Sequence, residues 1–122
     1  MIRGKGKDDL RWTGHVLNMT SQRWLTDADT TRSLWWHYLV VIKPSNYDIE
    51  HSRNATLWIT DGHNTDDIPS RTNYNMFICS ELAMGMGLIT GCLFQIPNQA
   101  MVFANDPDQR SRSEDAIIAY TW

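Results

Sequence analysis

The chain has 122 residues, of which 42% are apolar, 11% aromatic and 20% charged, a composition inside the ordinary globular range. That length allows one domain with a modest core and excludes a complete multidomain enzyme. The 11 basic and 14 acidic side chains give a net charge of −3; the basic residues are scattered, so nucleic acid is not an expected partner.

The first residues, Met1 to Asp9, are basic enough to open a signal peptide but have no apolar stretch behind them, so an export signal is expected to lie outside the chain or to have been removed. The longest apolar runs, Leu39 to Ile42 and Cys92 to Phe94, fall far short of the roughly 20 residues that cross a bilayer, and no membrane span is expected. Val16 to Gln22 reads as a short half-buried strand. Thr26 to Ser33 is a polar cluster without apolar period, a loop that returns the chain in hairpin fashion. Leu34 to Ile42 (LWWHYLVVI) is apolar on both alternating faces and rich in β-branched and aromatic types, which predicts a central strand closed by Pro44. Lys43 to Asn54 is polar and irregular, and Thr56 to Thr60 gives another short strand that stops at Asp61-Gly62. Between Asn73 and Met86 the period changes: Met76, Cys79, Leu82, Ala83 and Met86 share a helical face from which Ser80 and Glu81 lie away, and Gly85 and Gly87 suit the C-terminal cap. Leu88 to Ile96 returns as an apolar strand closed by Pro97. Strand, helix, strand is a βαβ crossover, which makes the two strands parallel and sets their C-terminal loops on the sheet edge where open α/β sheets bind ligands. After a loop from Asn98 to Arg110, Ser111 and Glu114 have capping-box spacing and predict a helix carrying Ile117, Ile118 and Trp122. The layout is α/β, a single incomplete domain spanning 1–122.

Chemically, the loop Asp61-Gly62-His63-Asn64-Thr65-Asp66-Asp67 is the most informative. Gly62 lets the backbone approach a substrate just past a strand end, and Gly62, His63 and Asn64 are candidate oxyanion-hole donors; the alternative is a polar turn that uses Gly and Asn for their backbone freedom. Asp61, His63, Asp66 and Asp67 lack the order of a calcium loop, and no metal is assigned. His37 sits inside the apolar strand and reads as a hydrogen-bonded core histidine. The glycines at 85, 87 and 91 precede a strand rather than link a strand to a helix, so no dinucleotide site and no cofactor are assigned. No G-x-S-x-G elbow occurs, and Ser80 on a helix interior is a poor nucleophile. Cys79 and Cys92 belong to no CxxC or zinc-type cluster and read as buried thiols, with a disulfide as the alternative in a secreted protein. Asn18-Met19-Thr20 and Asn54-Ala55-Thr56 match the glycosylation acceptor pattern. Of the six tryptophans, those at 35, 36 and 58 lie in strands and are assigned to core packing over carbohydrate stacking.

Four segments, LNMTSQRWLT (17–26), WWHYLVVIKP (35–44), IPNQAMVF (96–103) and RSEDAIIAYTW (112–122), resemble in order and spacing the N-terminal part of the PhoPQ-activated pathogenicity-related family, which includes secreted autocrine proliferation repressor proteins. The resemblance implies a partial α/β-hydrolase-like sheet, with early antiparallel strands, a βαβ crossover and a serine-bearing elbow beyond residue 122. It implies a secreted protein, acting in extracellular signalling or envelope defence on a cell-surface receptor or a small acyl substrate, and catalytically silent over this stretch; the rival reading is part of a serine hydrolase acting on an ester or amide. Gly62 and Asn64 match the family's glycine-and-asparagine loop. The chain departs from the pattern in lacking a second glycine there and in carrying Ala100 where proline is usual.

Overall fold

The computed structural model describes residues 1–50 and 52–121, so the expectation for Trp122 lies outside the described residues. The elements are β1 (Ile2–Lys5), β2 (Arg11–Arg23), β3 (Leu34–Pro44), β4 (Ala55–Ile59), α1 (Tyr74–Met86), β5 (Ile89–Leu93) and α2 (Asp115–Thr121), with one 3-10 turn at Lys7–Asp9. They form a mixed α/β structure around a five-stranded sheet of order β1-β2-β3-β5-β4. β1, β2, β3 and β5 pair antiparallel in turn, and β4 pairs parallel with β5 across the α1 crossover.

β3 is central, as its two-sided apolar pattern predicts. Its residues alternate between faces: Val40 and Ile42 are fully buried beneath α1, whereas Leu39 and Val41 face the other way and are only half-buried. α1 starts at Asn73, whose side-chain oxygen accepts from the amides of Asn75 and Met76, and ends at Gly87, whose φ of +64° makes the left-handed cap. Its buried residues are Met76, Cys79, Ser80, Ala83 and Met84. The buried stripe is therefore rotated from the predicted one. Ser80 lies inside it because its hydroxyl donates back to Phe77 O at 2.9 Å, while Met86 is 45% exposed. Trp12, Val40, Ile42, Met76, Cys79, Ala83, Met84, Cys92 and Phe94 make the main core.

Several sequence expectations are corrected. β2 is far longer than Val16 to Gln22, because pairing with β3 carries polar residues at both ends. β1 goes unseen in the sequence because Arg3, Gly4 and Lys5 hide its alternation. β5 stops at Leu93, where Gln95 takes a φ of +66° and breaks the ladder. The capping box does not form: the Glu114 amide donates to Gln99 Oε1 at 2.6 Å, and α2 begins one residue later. Trp58 lies on the outermost strand and remains 37% exposed, its Nε1 donating to Asn75 Oδ1. Cys79 and Cys92 are not free thiols but a disulfide, because α1 and β5 place their Cα atoms 6.1 Å apart.

That disulfide fastens the helix to the strand it crosses over to reach. Closing a loop of this size lowers the entropy of the unfolded chain by roughly 3 kcal/mol in stability. A Cys79→Ala, Cys92→Ala variant should lose about that much in a denaturant titration, and reductant should change the wild type but not the variant.

Candidate functional site

The parallel strands β4 and β5 end at one edge of the sheet, where β2 ends and β3 begins. After β4 the chain turns through Gly62, whose φ is +123°; a Cβ here would meet Asp66 Oδ2 at 2.9 Å, so the turn requires glycine. After β5, Gln95 sends its amide N–H to Asp61 O at 3.0 Å, and Ile96 donates to Thr60 O at 3.2 Å. The two loops are then joined by buried amide side chains. Gln95 Nε2 donates to His63 O at 2.9 Å while its Oε1 accepts from the Tyr38 amide at 3.1 Å. Asn64 Nδ2 donates to Asn98 O at 3.1 Å and Ala100 O at 3.3 Å. Gln95, Asn98 and Gln99 are essentially inaccessible, and the peptide bonds before Pro97 and Ala100 are cis.

Within this edge the three oxyanion candidates have different surroundings. The His63 amide donates to Asp66 Oδ2 at 2.7 Å, and the Asn64 amide donates to Gln99 O at 2.6 Å. Gly62 is half-buried, His63 exposed and Asn64 buried. Among the described residues no group of three or more His, Cys, Asp or Glu side chains gathers that could hold a metal. Asn18 is exposed on β2 opposite Tyr38, and Asn54 is exposed just before β4. His37 is indeed a core histidine: Nδ1 donates to Phe94 O and Gln95 O at 3.1 and 3.0 Å, and Nε2 lies 2.9 Å from Ser21 Oγ. Gln95, Asn98, Gln99 and Ser21 were not singled out as site residues from the sequence. Asn98 and Gln99 fall in the Pro-Asn-Gln run and Ser21 in the Thr-Ser-Gln run that carry the family resemblance, whereas no sequence signal marks Gln95.

The model of the PhoPQ-activated pathogenicity-related protein family matches residues 4–122. The chain belongs to that family. It is 30% identical over 113 residues to autocrine proliferation repressor protein A of Dictyostelium discoideum, an alignment that covers 91% of this chain and 21% of that relative. The chain thus spans about a fifth of that relative's length. No solved structure matches it, and no helix among the described residues is long and apolar enough to cross a membrane.

In this family member the irregular segment after β5 is anchored by a second cluster. Met101, Phe103 and Ile117 pack with Trp24, Trp35 and Tyr120, and Arg112 sits 4.4 Å over the Tyr120 ring. Arg112 also grips Asp106 Oδ2, with Nη2 at 2.7 Å and Nε at 3.0 Å. Burial pushes the Asp106 carboxyl up, but the Arg112 bonds and the amides of Asp108 and Arg110 outweigh it and hold the group below its ordinary 3.8. Burial likewise pushes His37 below its ordinary 6.5, against the opposing pull of the Gln95 and Phe94 carbonyls. Both shifts act in one direction on stability. The unfolded chain takes up each proton at a higher pH than the folded one, so folding free energy is fullest above about pH 6.5 and falls in two stages, first as the His37 range is crossed and again below about pH 4. A His37→Gln variant should lose the first stage and an Asp106→Asn variant the second, as read by denaturant midpoints between pH 3 and 8.

Proposed function

We propose that this chain is the N-terminal part of a secreted, α/β-hydrolase-like domain with an extracellular signalling or envelope-defence role, and that it is catalytically silent by itself. The observation that carries this reading is a half-covered sheet. α1 packs on one face only. On the opposite face Leu17, Leu57 and Ile59 are 47%, 56% and 57% exposed, and Leu39, Val41 and Leu93 lie half-buried beside them. β4, at the sheet border, offers unpaired backbone groups along Ala55–Ile59. A sheet of this kind needs a second layer and a further strand. Three antiparallel strands followed by a parallel β4-α1-β5 unit suit the early half of such a domain.

Secretion is supported by the Cys79–Cys92 disulfide, since such bonds persist in oxidising compartments, and by the exposure of Asn18 and Asn54. The signalling role rests on kinship with a relative named as a proliferation repressor. The hydrolase reading, a serine hydrolase acting on an ester or amide, is favoured by Gly62 and its turn at the C-terminal end of β4. In that reading the Asp66 carboxylate must leave the His63 amide before the loop can receive an oxyanion.

The 122-residue chain should bind a hydrophobic dye, associate with rising concentration, and turn over p-nitrophenyl esters at the buffer's steady-state rate. Leu57→Lys with Ile59→Lys should suppress the association and leave the circular dichroism unchanged. A monomeric, dye-silent protein would remove the incomplete-domain reading, and steady-state turnover would remove the silent one. After expression in a secretory host, glycosidase treatment should increase the mobility of the wild type and not of an Asn18→Gln, Asn54→Gln variant; no shift in the wild type discards the two acceptors.

A further inference from the structure

A serine and a histidine meet at the edge of the sheet where the parallel strands end, without any role in the reading above. β2 pairs regularly with β3 until Thr20, opposite Trp36; Gln22 then lies opposite Trp35, so Ser21 is one extra residue on the β2 side. Such a bulge turns a side chain out of the regular alternation and is a common device beside active sites. Here it aims Ser21 Oγ at His37 Nε2, 2.9 Å away. The imidazole is held from behind, because among the described residues Nδ1 faces the carbonyl oxygens of Phe94 and Gln95. Carbonyls only accept, so Nδ1 carries the proton and Nε2 presents its lone pair. The Ser21 hydroxyl therefore donates to Nε2, in preference to the more distant Trp35 O at 3.4 Å. A hydroxyl donating to the free nitrogen of an oriented, neutral imidazole is the arrangement of an activated serine. The two members differ in access in the way that chemistry needs: His37 is 1% exposed, and Ser21 is open to solvent.

The ring that flanks the pair gives the shape of a substrate's apolar part a physical basis. Trp35 meets the His37 imidazole edge-on, with centroids 6.3 Å apart. Its other surroundings form an open hollow of about 440 Å³, lined by Trp24, Trp35, Pro97, Ile117, Ile118 and Thr121. Small aliphatic or aromatic acyl groups match the Trp24, Trp35, Pro97, Ile117 and Ile118 side chains of that lining.

We infer that Ser21 and His37 form a nucleophilic pair that accepts an acyl group from an activated ester. Ser21 Oγ attacks the ester carbonyl carbon as its proton passes to His37 Nε2. The new O–C bond forms, the bond from carbon to the leaving oxygen breaks, and the imidazolium returns the proton to the leaving alkoxide or phenolate. No redox step or further reactant is involved. The product is an acylated Ser21 and the free alcohol. This pair lies outside the loop of Gly62, His63 and Asn64 and does not depend on the incomplete-domain reading, whose readouts are dye binding, association and steady-state turnover.

With p-nitrophenyl acetate in excess, the 122-residue chain should release one equivalent of p-nitrophenol in a burst and gain one acetyl group, located on Ser21 by peptide mass spectrometry. General-base help of this kind is worth about 100-fold or more in rate. Ser21→Ala, an exposed change, should abolish the burst, and His37→Gln should slow it at least 100-fold. Because His37 is buried and that variant could unfold, Ser21→Cys gives an independent reading: its thiol should be alkylated by iodoacetamide at least 10-fold faster than a cysteine placed at the exposed Ser70. Acetyl groups spread over lysines and other serines, a burst that survives Ser21→Ala, or ordinary alkylation of the cysteine at 21 would each overturn the inference.

Discussion

Residues 94–114 form neither helix nor strand of any length, yet much of this stretch is buried, so its peptide groups must find partners without the regularity of a ladder. Beyond scattered backbone partners such as Asp61 O, Thr60 O and Arg112 O, the partners are side-chain amides and one imidazole. His37 takes the carbonyls of Phe94 and Gln95, Gln95 takes His63 O and the Tyr38 amide, and Asn64 takes two more carbonyls. Gln99 supplies an acceptor to the Glu114 amide, and the Gln109 amide bonds Phe103, Ala104 and Asp106 oxygens. Each bond is individually modest, near 1 kcal/mol net, but leaving such a buried group unpaired costs about 1–3 kcal/mol. The arrangement of this sheet edge therefore depends on a network in which removing one member leaves its buried partners unpaired.

The same network decides which polar groups at this edge are already bonded. The amides of His63 and Asn64 are committed to Asp66 and Gln99, so the loop spends its donors on its own closure. A ground-state carbonyl arriving there finds them occupied. By contrast, the lone pair of His37 Nε2 is directed outward to an exposed hydroxyl, because the network uses only the opposite nitrogen. Reactive potential at this edge is thus displaced from the glycine turn toward the bulge on β2, and both consequences have one cause, the irregular return of the chain after β5.

Much of the regular structure was legible in the sequence. The two-sided apolar run of β3, the Gly87 signal that ends α1, and the shift from period two to helical period and back all have local causes, and they place the parallel crossover correctly. What escaped was decided by distant partners. Ser80 enters the core because its hydroxyl is satisfied within its own helix, which no polarity pattern reveals. Ser111 and Glu114 have capping spacing, but Gln99 Oε1 claims the Glu114 amide first. Asn98 and Gln99 belong to a segment the sequence marks only as a loop, and the fold shows that their amides replace water around a buried backbone. The disulfide likewise needs the helix to lie over β5, a condition that spacing alone does not impose.

The two borders of the sheet are protected in opposite ways. β1 is short and carries Arg3 and Lys5, with Gly4 allowing Trp12 to lie close against it: a Cβ there would fall 2.3 Å from the indole. Charged, short edges of this kind repel a further strand. β4 carries Thr56, Leu57, Trp58 and Ile59 with no charge on the strand, and both faces of its outer residues remain accessible. An uncharged apolar edge is an invitation to pairing, and the exposed Leu57 and Ile59 lie on the same face as Leu39, Val41 and Leu93 of the neighbouring strands. A strand added beside β4 would thus extend the apolar layer as well as the backbone ladder, whereas one added beside β1 would have to bury arginine and lysine stems. The direction in which this sheet can grow is accordingly fixed by charge at one end and by leucine, tryptophan and isoleucine at the other.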